Sequence, residues 1–192
     1  MATIGIEKLY YAIITKDSKT ELTFDTPIYL EGVQEIQIKP KQSTAKAYAE
    51  NKLYAQFTSL EEVEVVINLF DISKENQIKL LGHTAATEGG LYATNADSAP
   101  YVALLYCANT SREGVKRFGV LYKGKFSLPE DSVKGQEEKI EYQTPEMKAT
   151  FQPLIKNGMW KYFVDTDDTD CPENIDTTFF TTVTIPTKKT VV

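Results

Sequence analysis

The chain carries one histidine, His83, and two cysteines, Cys107 and Cys171. Nucleophilic catalysis needs a base within hydrogen-bond reach of the nucleophile, and histidine is the common one. His83 closes the stretch "LLGH", just past what reads as a helix end, where the helix dipole favours a cation. A helix-end histidine making local bonds is preferred there over a Ser-His-Asp site, and no GxSxG elbow accompanies it. Three Cys and His residues spread this far apart cannot assemble a structural zinc centre. Cys107 sits in the apolar run "YVALLYCA" and reads as a small buried hydrophobe, whereas Cys171 sits in an acidic loop. Settings so different argue against a disulfide. Neither GxxxxGK[ST] nor GxGxxG occurs, so no phosphate-cradling loop is supported. The expectation is a chain with no catalytic residue, no metal and no cofactor, and not an enzyme.

Charge is the second possible source of chemistry. Residues 165–176 read "DTDDTDCPENID", with Asp165, Asp167, Asp168, Asp170, Glu173, Asp176 and no base. Asp165 and Asp167 fit the first and third positions of a calcium loop. Thr169 and Asp170 then fall on the fifth and sixth, where another ligand and a glycine are wanted. A solvated acidic hairpin loop is the preferred reading. Lys116, Arg117, Lys123 and Lys125 lie near aromatics in "VKRFGVLYKGKF", a weak sign of a single-strand stacking surface. However, Phe118, Val120 and Tyr122 alternate as core residues do, which favours an ordinary strand with lysines on its wet face. Net charge over the whole chain is −6, so no general basic field exists for DNA binding.

The elements that hold these residues are mostly strands. Tyr (11) and Phe (9) are plentiful and suit pleated surfaces. Residues 4–15, 28–30, 33–40, 100–108, 115–128, 139–144, 147–154, 159–164 and 177–186 all have strand character. In residues 62–69, Val63, Val65, Ile67 and Leu69 alternate with Glu62, Glu64 and Asn68, the clearest period-two signal. The one good helix candidate covers about 72–81, capped by Asp71 or Ser73 and ended by Gly82. Ile78, Leu81 and Ile72 are its expected core residues. The N-terminus lacks the pattern of a signal peptide, and no stretch approaches 18 apolar residues. The expected class is mainly β: a sandwich or barrel of short antiparallel strands, one domain over residues 1–192, without a membrane segment.

One stretch resists this scheme. Residues 42–59, "QSTAKAYAENKLYAQFTS", hold no glycine or proline, yet lie where a connection belongs. Tyr48, Tyr54 and Phe57, set among small alanines such as Ala47 and Ala49, form an adhesive surface. A long loop of about 40–60 that works in binding is the preferred reading; a hairpin extension of the protein's own fold is the competing one. An arm of this kind suits a second copy, since small residues allow close approach and tyrosines add apolar area with a polar tip.

The ordered set "IGIEKLYYAIIT", "EGVQEIQIKP", "STAKAYAENKLYAQFTSLEEVEVVINL", "DSAPYVALLYCA", "FGVLYKGKFSLPED" and "EEKIEYQTPEMKATFQPL" resembles the major tail proteins of long-tailed bacteriophages, of the phi13-like family. The resemblance implies a tail tube subunit: a β-sandwich or barrel flanked by a helix, six copies to a ring, and stacked rings. The tube is the conduit for genome ejection into the host. It implies an inter-subunit loop over about 40–60, which makes Ala47, Tyr48, Ala49, Tyr54 and Phe57 the candidate interface residues. It implies tape-measure, tail terminator and distal tail proteins as partners, with double-stranded DNA in transit without specific binding. Glu62, Glu64, Glu138 and Glu141 are candidates for a lumen wall that phosphates do not stick to. The implied place is the phage tail, after synthesis in the bacterial cytoplasm. No separate C-terminal immunoglobulin-like domain is expected. Two alternatives stand beside this: the tube of a contractile or secretion-like device, and a carbohydrate-binding β-sandwich using Trp160, Tyr162 and Phe163.

Overall fold

The structure is a computed structural model that describes residues 2–49, 52–129 and 145–188. Its strands in chain order are β1 (Thr3–Asp17), β2 (Leu22–Phe24), β3 (Ile28–Tyr29), β4 (Val33–Ala49) and β5 (Lys52–Leu69). They continue with β6 (Thr84–Ala85), β7 (Leu91–Tyr92), β8 (Tyr101–Thr110), β9 (Lys116–Phe126), β10 (Glu146–Gln152) and β11 (Lys161–Asp165). The helices are α1 (Lys74–Leu81) and the single turn α2 (Ile175–Thr178).

One antiparallel sheet runs in the order β2-β1-β8-β9-β10-β5-β4, with β3 on β1 and β11 on β9. The sheet curls until β1 and β4 come near each other, but no ladder joins them among the described residues. The result is sandwich-like rather than a closed barrel. Its first core lies inside the curl. The inward residues of β5, Val63, Val65, Ile67 and Leu69, meet Leu9, Tyr11, Leu104, Leu121, Met147 and Phe151 there. The second core lies on the opposite face of β8 and β9. Leu105, Cys107, Phe118, Val120 and Tyr122 are covered there by Leu154, Ile175, Phe179 and Phe180. The β8–β9 ribbon is therefore buried on both faces, which is why its sequence reads as a nearly unbroken apolar run.

Two glycines in β9 make room for rings from neighbouring strands. A Cβ at Gly119 would stand 2.3 Å from the Tyr106 ring, and one at Gly124 would stand 2.3 Å from the Phe151 ring. In each pair the glycine is directly opposite the aromatic, so the ring lies flat across the strand.

Helix α1 starts where expected. The Ser73 side chain accepts a bond from the Asn76 backbone N–H, and Gly82 ends the helix at φ 80°. That conformation suits glycine alone at low cost. The buried helix residues are Leu80 and Leu81, with Ile78 only half-buried. Tyr11 Oη donates to Asn76 Oδ1 at 2.8 Å and ties the helix to β1.

Two expectations are corrected. Residues 177–186 are not a strand: they form the end of α2 and an irregular strap. The Thr177 and Thr178 hydroxyls bond back to the Asn174 carbonyl, which favours a helical turn over an extended chain. Residues 40–49 and 52–60 are not a loop either: they belong to β4 and β5. The expected strand at 139–144 lies outside the described residues.

Candidate functional site

Strands β4 and β5 pair with each other over their whole length, from Val33 opposite Leu69 to Ala49 opposite Lys52. Their inner halves are the wall of the first core. Their outer halves, 41–49 and 52–60, leave the body of the protein as a hairpin. At about 3.3 Å per residue the limb projects on the order of 30 Å. Threonine, tyrosine and phenylalanine favour extended backbone, and neither strand segment holds a glycine, proline, asparagine or aspartate. The register supplies matching rungs: Ser43 with Ser59, Thr44 with Thr58, Ala45 with Phe57, Ala47 with Ala55. The Thr44 and Thr58 hydroxyls lie 3.3 Å apart. The alternating pattern was hard to see because small residues and threonines replace the usual apolar-polar contrast.

Register shifts near Gln42 and Tyr48 mark two irregularities in the limb. The first leaves Glu61 without a partner, at the point where the limb departs from the core. Such a bulge bends a strand and increases its twist. Alternation from the rungs then assigns the two faces. Ser43, Ala45, Ala47, Ala55, Phe57 and Ser59 share one, while Thr44, Lys46, Tyr48, Gln56 and Thr58 share the other, and Tyr54 is the extra residue at the second shift. Tyr48 is 68% exposed, Tyr54 81% and Phe57 72%. Three large rings in water on one projecting element are unusual for a soluble monomer and mark a contact surface.

The polar face of the same sheet holds two of the candidate lumen acids. Lys41 Nζ lies 2.8 Å from Glu62 and 3.3 Å from Glu64, and the hydrogen bond to Glu62 raises its pKa. On the adjoining rungs Asn68 Nδ2 donates to Glu35 at 3.1 Å and Lys148 pairs with Glu146 at 3.1 Å. This face is charge-compensated rather than acidic. Glu138 and Glu141 lie outside the described residues.

The groups that first suggested chemistry have structural partners. His83 Nδ1 meets Asp97 at 2.9 Å, and this bond holds the Asp97 carboxyl below the usual range. Both cysteines are free thiols. Burial pushes the Cys107 thiol up to about 12, which makes it inert as a nucleophile at neutral pH. Among the described residues no group of acids, histidines and cysteines is placed to hold a metal ion. The acidic segment is anchored at its start by the buried Asp165, while Asp167, Asp168, Asp170, Glu173 and Asp176 are exposed as a solvated loop requires. Arg117 donates to both oxygens of Asp165, at 2.6 and 2.8 Å, Arg112 pairs with Asp167, and Asp168 accepts the Asp165 backbone N–H.

The basic residues of β9 are similarly occupied: Lys116 by Glu7 and Lys123 by Asp17 in a buried pair. The supposed sugar platform does not form. Trp160 packs toward the first core and Tyr162 toward the second, leaving Phe163 exposed. No helix among the described residues is long and apolar enough to cross a membrane.

No curated protein matches the chain in a sequence search. The family model described as phage tail tube protein matches residues 1–181.

Proposed function

The chain belongs to the phage tail tube protein family, and we propose from that premise that six copies form a ring and that stacked rings make the tail tube. It is a structural component of the virion tail. The tube so built is the conduit for genome ejection, and the protein works as a single tube-forming unit without catalysis. Its other contacts are with the tape-measure, terminator and distal tail proteins at the ends and interior of the tube.

The observation that carries this reading is the projecting β4–β5 limb with Tyr48, Tyr54 and Phe57 in water. Its alanines and serines let another backbone approach closely, and its aromatic side chains are the hot-spot type. Contact between unlike surfaces of identical molecules closes into a ring when the rotation allows and stacks otherwise. Exposed β4 has no ladder on its outer edge among the described residues, so assembly also removes a sheet edge. Ala47, Tyr48, Ala49, Tyr54 and Phe57 are assigned to the subunit contact.

The face carrying Glu62 and Glu64 is assigned to the passage. DNA in transit requires a wall that releases phosphates. A wall of acids already paired with lysines gives phosphate groups few free cations and releases few counterions on contact.

Replacing residues 44–58 by Asn-Gly joins the paired Ser43 and Ser59 through a two-residue turn. The trimmed chain is expected to stay folded and to form no tubes at concentrations where the full chain does, as seen by negative-stain electron microscopy. Normal tubes from the trimmed chain would refute the role of the limb.

A further inference from the structure

Where β1 and β4 approach without pairing, they leave a groove of about 450 Å³. Its walls are Ile4 and Ile6 from β1 and Ile36 and Ile38 from β4. Residues 3–8 of β1 pair with β8 on one side only, and β4 pairs with β5 only, so both walls are strand edges with open backbone groups. Ile4 is 75% exposed.

The floor is polar. Tyr106 is only 5% exposed, and its phenol tip lies over Gly119, where a Cβ would stand 2.5 Å from the hydroxyl oxygen. No described residue hydrogen-bonds that hydroxyl, yet no fully enclosed polar atom is left unsatisfied. The hydroxyl therefore opens into the groove that Tyr106 lines. Beside it, Arg117 is bound to Asp165. The Lys161 ammonium faces the Phe163 ring at 5.6 Å, with no described carboxylate paired to it. Burial and the nearby Arg117 lower the pKa of Lys161, as expected of a cation with no anion. A hydroxyl open to the groove with no bond from the described residues, and a half-buried ammonium with no described carboxylate, suit an anion between them.

We infer that this groove is a socket for a carboxylate side chain carried on an extended apolar segment of a second copy of this chain. The socket rests on the self-association proposed above and adds a receiving site on the body of the chain. Isoleucine walls and two open strand edges match a peptide better than a nucleic acid backbone. With 27 acids against 21 bases, a neighbouring copy has carboxylates to offer. Within the neighbour's limb the acid on offer is Glu50, which stands between residues 43–49 and 52–59.

The test places a photoreactive benzophenone residue at position 4, in place of Ile4. Isotopically light and heavy full-length chains are mixed and concentrated until particles form, then irradiated. Mixed-isotope cross-links from position 4 to an acid-bearing peptide are expected. Lys161→Met should raise the concentration needed for assembly about tenfold or more, and Lys161→Arg should restore it. Dilute Lys161→Met should melt as the parent does, separating a lost contact from a lost fold. Particles whose cross-links are all same-isotope, or Lys161→Met assembling at the parent threshold, overturn the socket. So does Lys161-dependent binding of inorganic phosphate without mixed cross-links, which marks a free-anion site. If the limb-trimmed chain assembles and still gives mixed cross-links, the limb reading falls and the socket stands. If the intact chain never assembles, both fall.

Discussion

Asp165 is 4% exposed, and both of its carboxylate oxygens rest on Arg117. The two residues are cross-strand partners on β9 and β11, so the strand pairing itself delivers one to the other. The hydrogen bonds from Arg117 hold the Asp165 carboxyl below its usual range. The sign follows directly. The stabilising contribution is complete above the ordinary aspartate value of about 3.9 and is lost as pH falls through the lower folded value. Asp165→Asn should cost about 1–3 kcal/mol at pH 7, measured by urea denaturation. It should also flatten the loss of stability as pH falls below about 4; an unchanged acid limb would contradict the assignment. The sequence showed six acids in twelve residues and suggested solvation, which holds for all but Asp165. It could not show that Arg112 and Arg117, about fifty residues earlier, face them, because that proximity is set by the sheet.

Single strands were readable where one face is apolar and the other charged. β5 is the best case, with Val63, Val65, Ile67 and Leu69 buried as alternation requires. Helix α1 was readable from Ser73 and Gly82, whose capping roles are local. The limb was not. Its outer half buries nothing in the isolated chain, so no apolar stripe marks it, and threonine and alanine rungs give no contrast. The same fact makes a clean prediction at this scale. Tyr54→Ser with Phe57→Ser should leave the unfolding free energy of dilute protein within about 0.5 kcal/mol. Assembly should weaken by about 2 kcal/mol or more, read as a raised threshold in sedimentation. A large fall in monomer stability would mean the rings serve the fold instead. The strap after α2 misled for the opposite reason: "TTFFTTVTIP" alternates like a strand, but local hydroxyl bonds turn it and its phenylalanines enter a core.

Taken whole, the molecule has three layers, with the β8–β9 ribbon as the shared middle. The C-terminal strap is the third layer. Phe180 stacks on Tyr10 at 4.4 Å and Phe179 meets Phe118 at 5.3 Å, while Tyr122 Oη donates to the Thr184 carbonyl. Phe179→Ala should therefore cost about 3–5 kcal/mol, seen as an early melt of the entire protein in one step, because both cores share one wall. Separate melting of the strap would contradict that coupling. The mainly β class was legible from composition and turn spacing; that one ribbon is buried twice was not, since an apolar run looks the same whether one or two layers cover it. The β4–β5 pair has a mechanical corollary. Limb and core wall are the same two strands, continuous through the bulge at Glu61. A neighbour tugging the tip drags β5 lengthwise against β10, where the rungs from Val63 with Phe151 to Asn68 with Glu146 must give way together rather than peel one by one. A filament assembled from such parts resists stretching at its joints and bends only as far as these ladders twist.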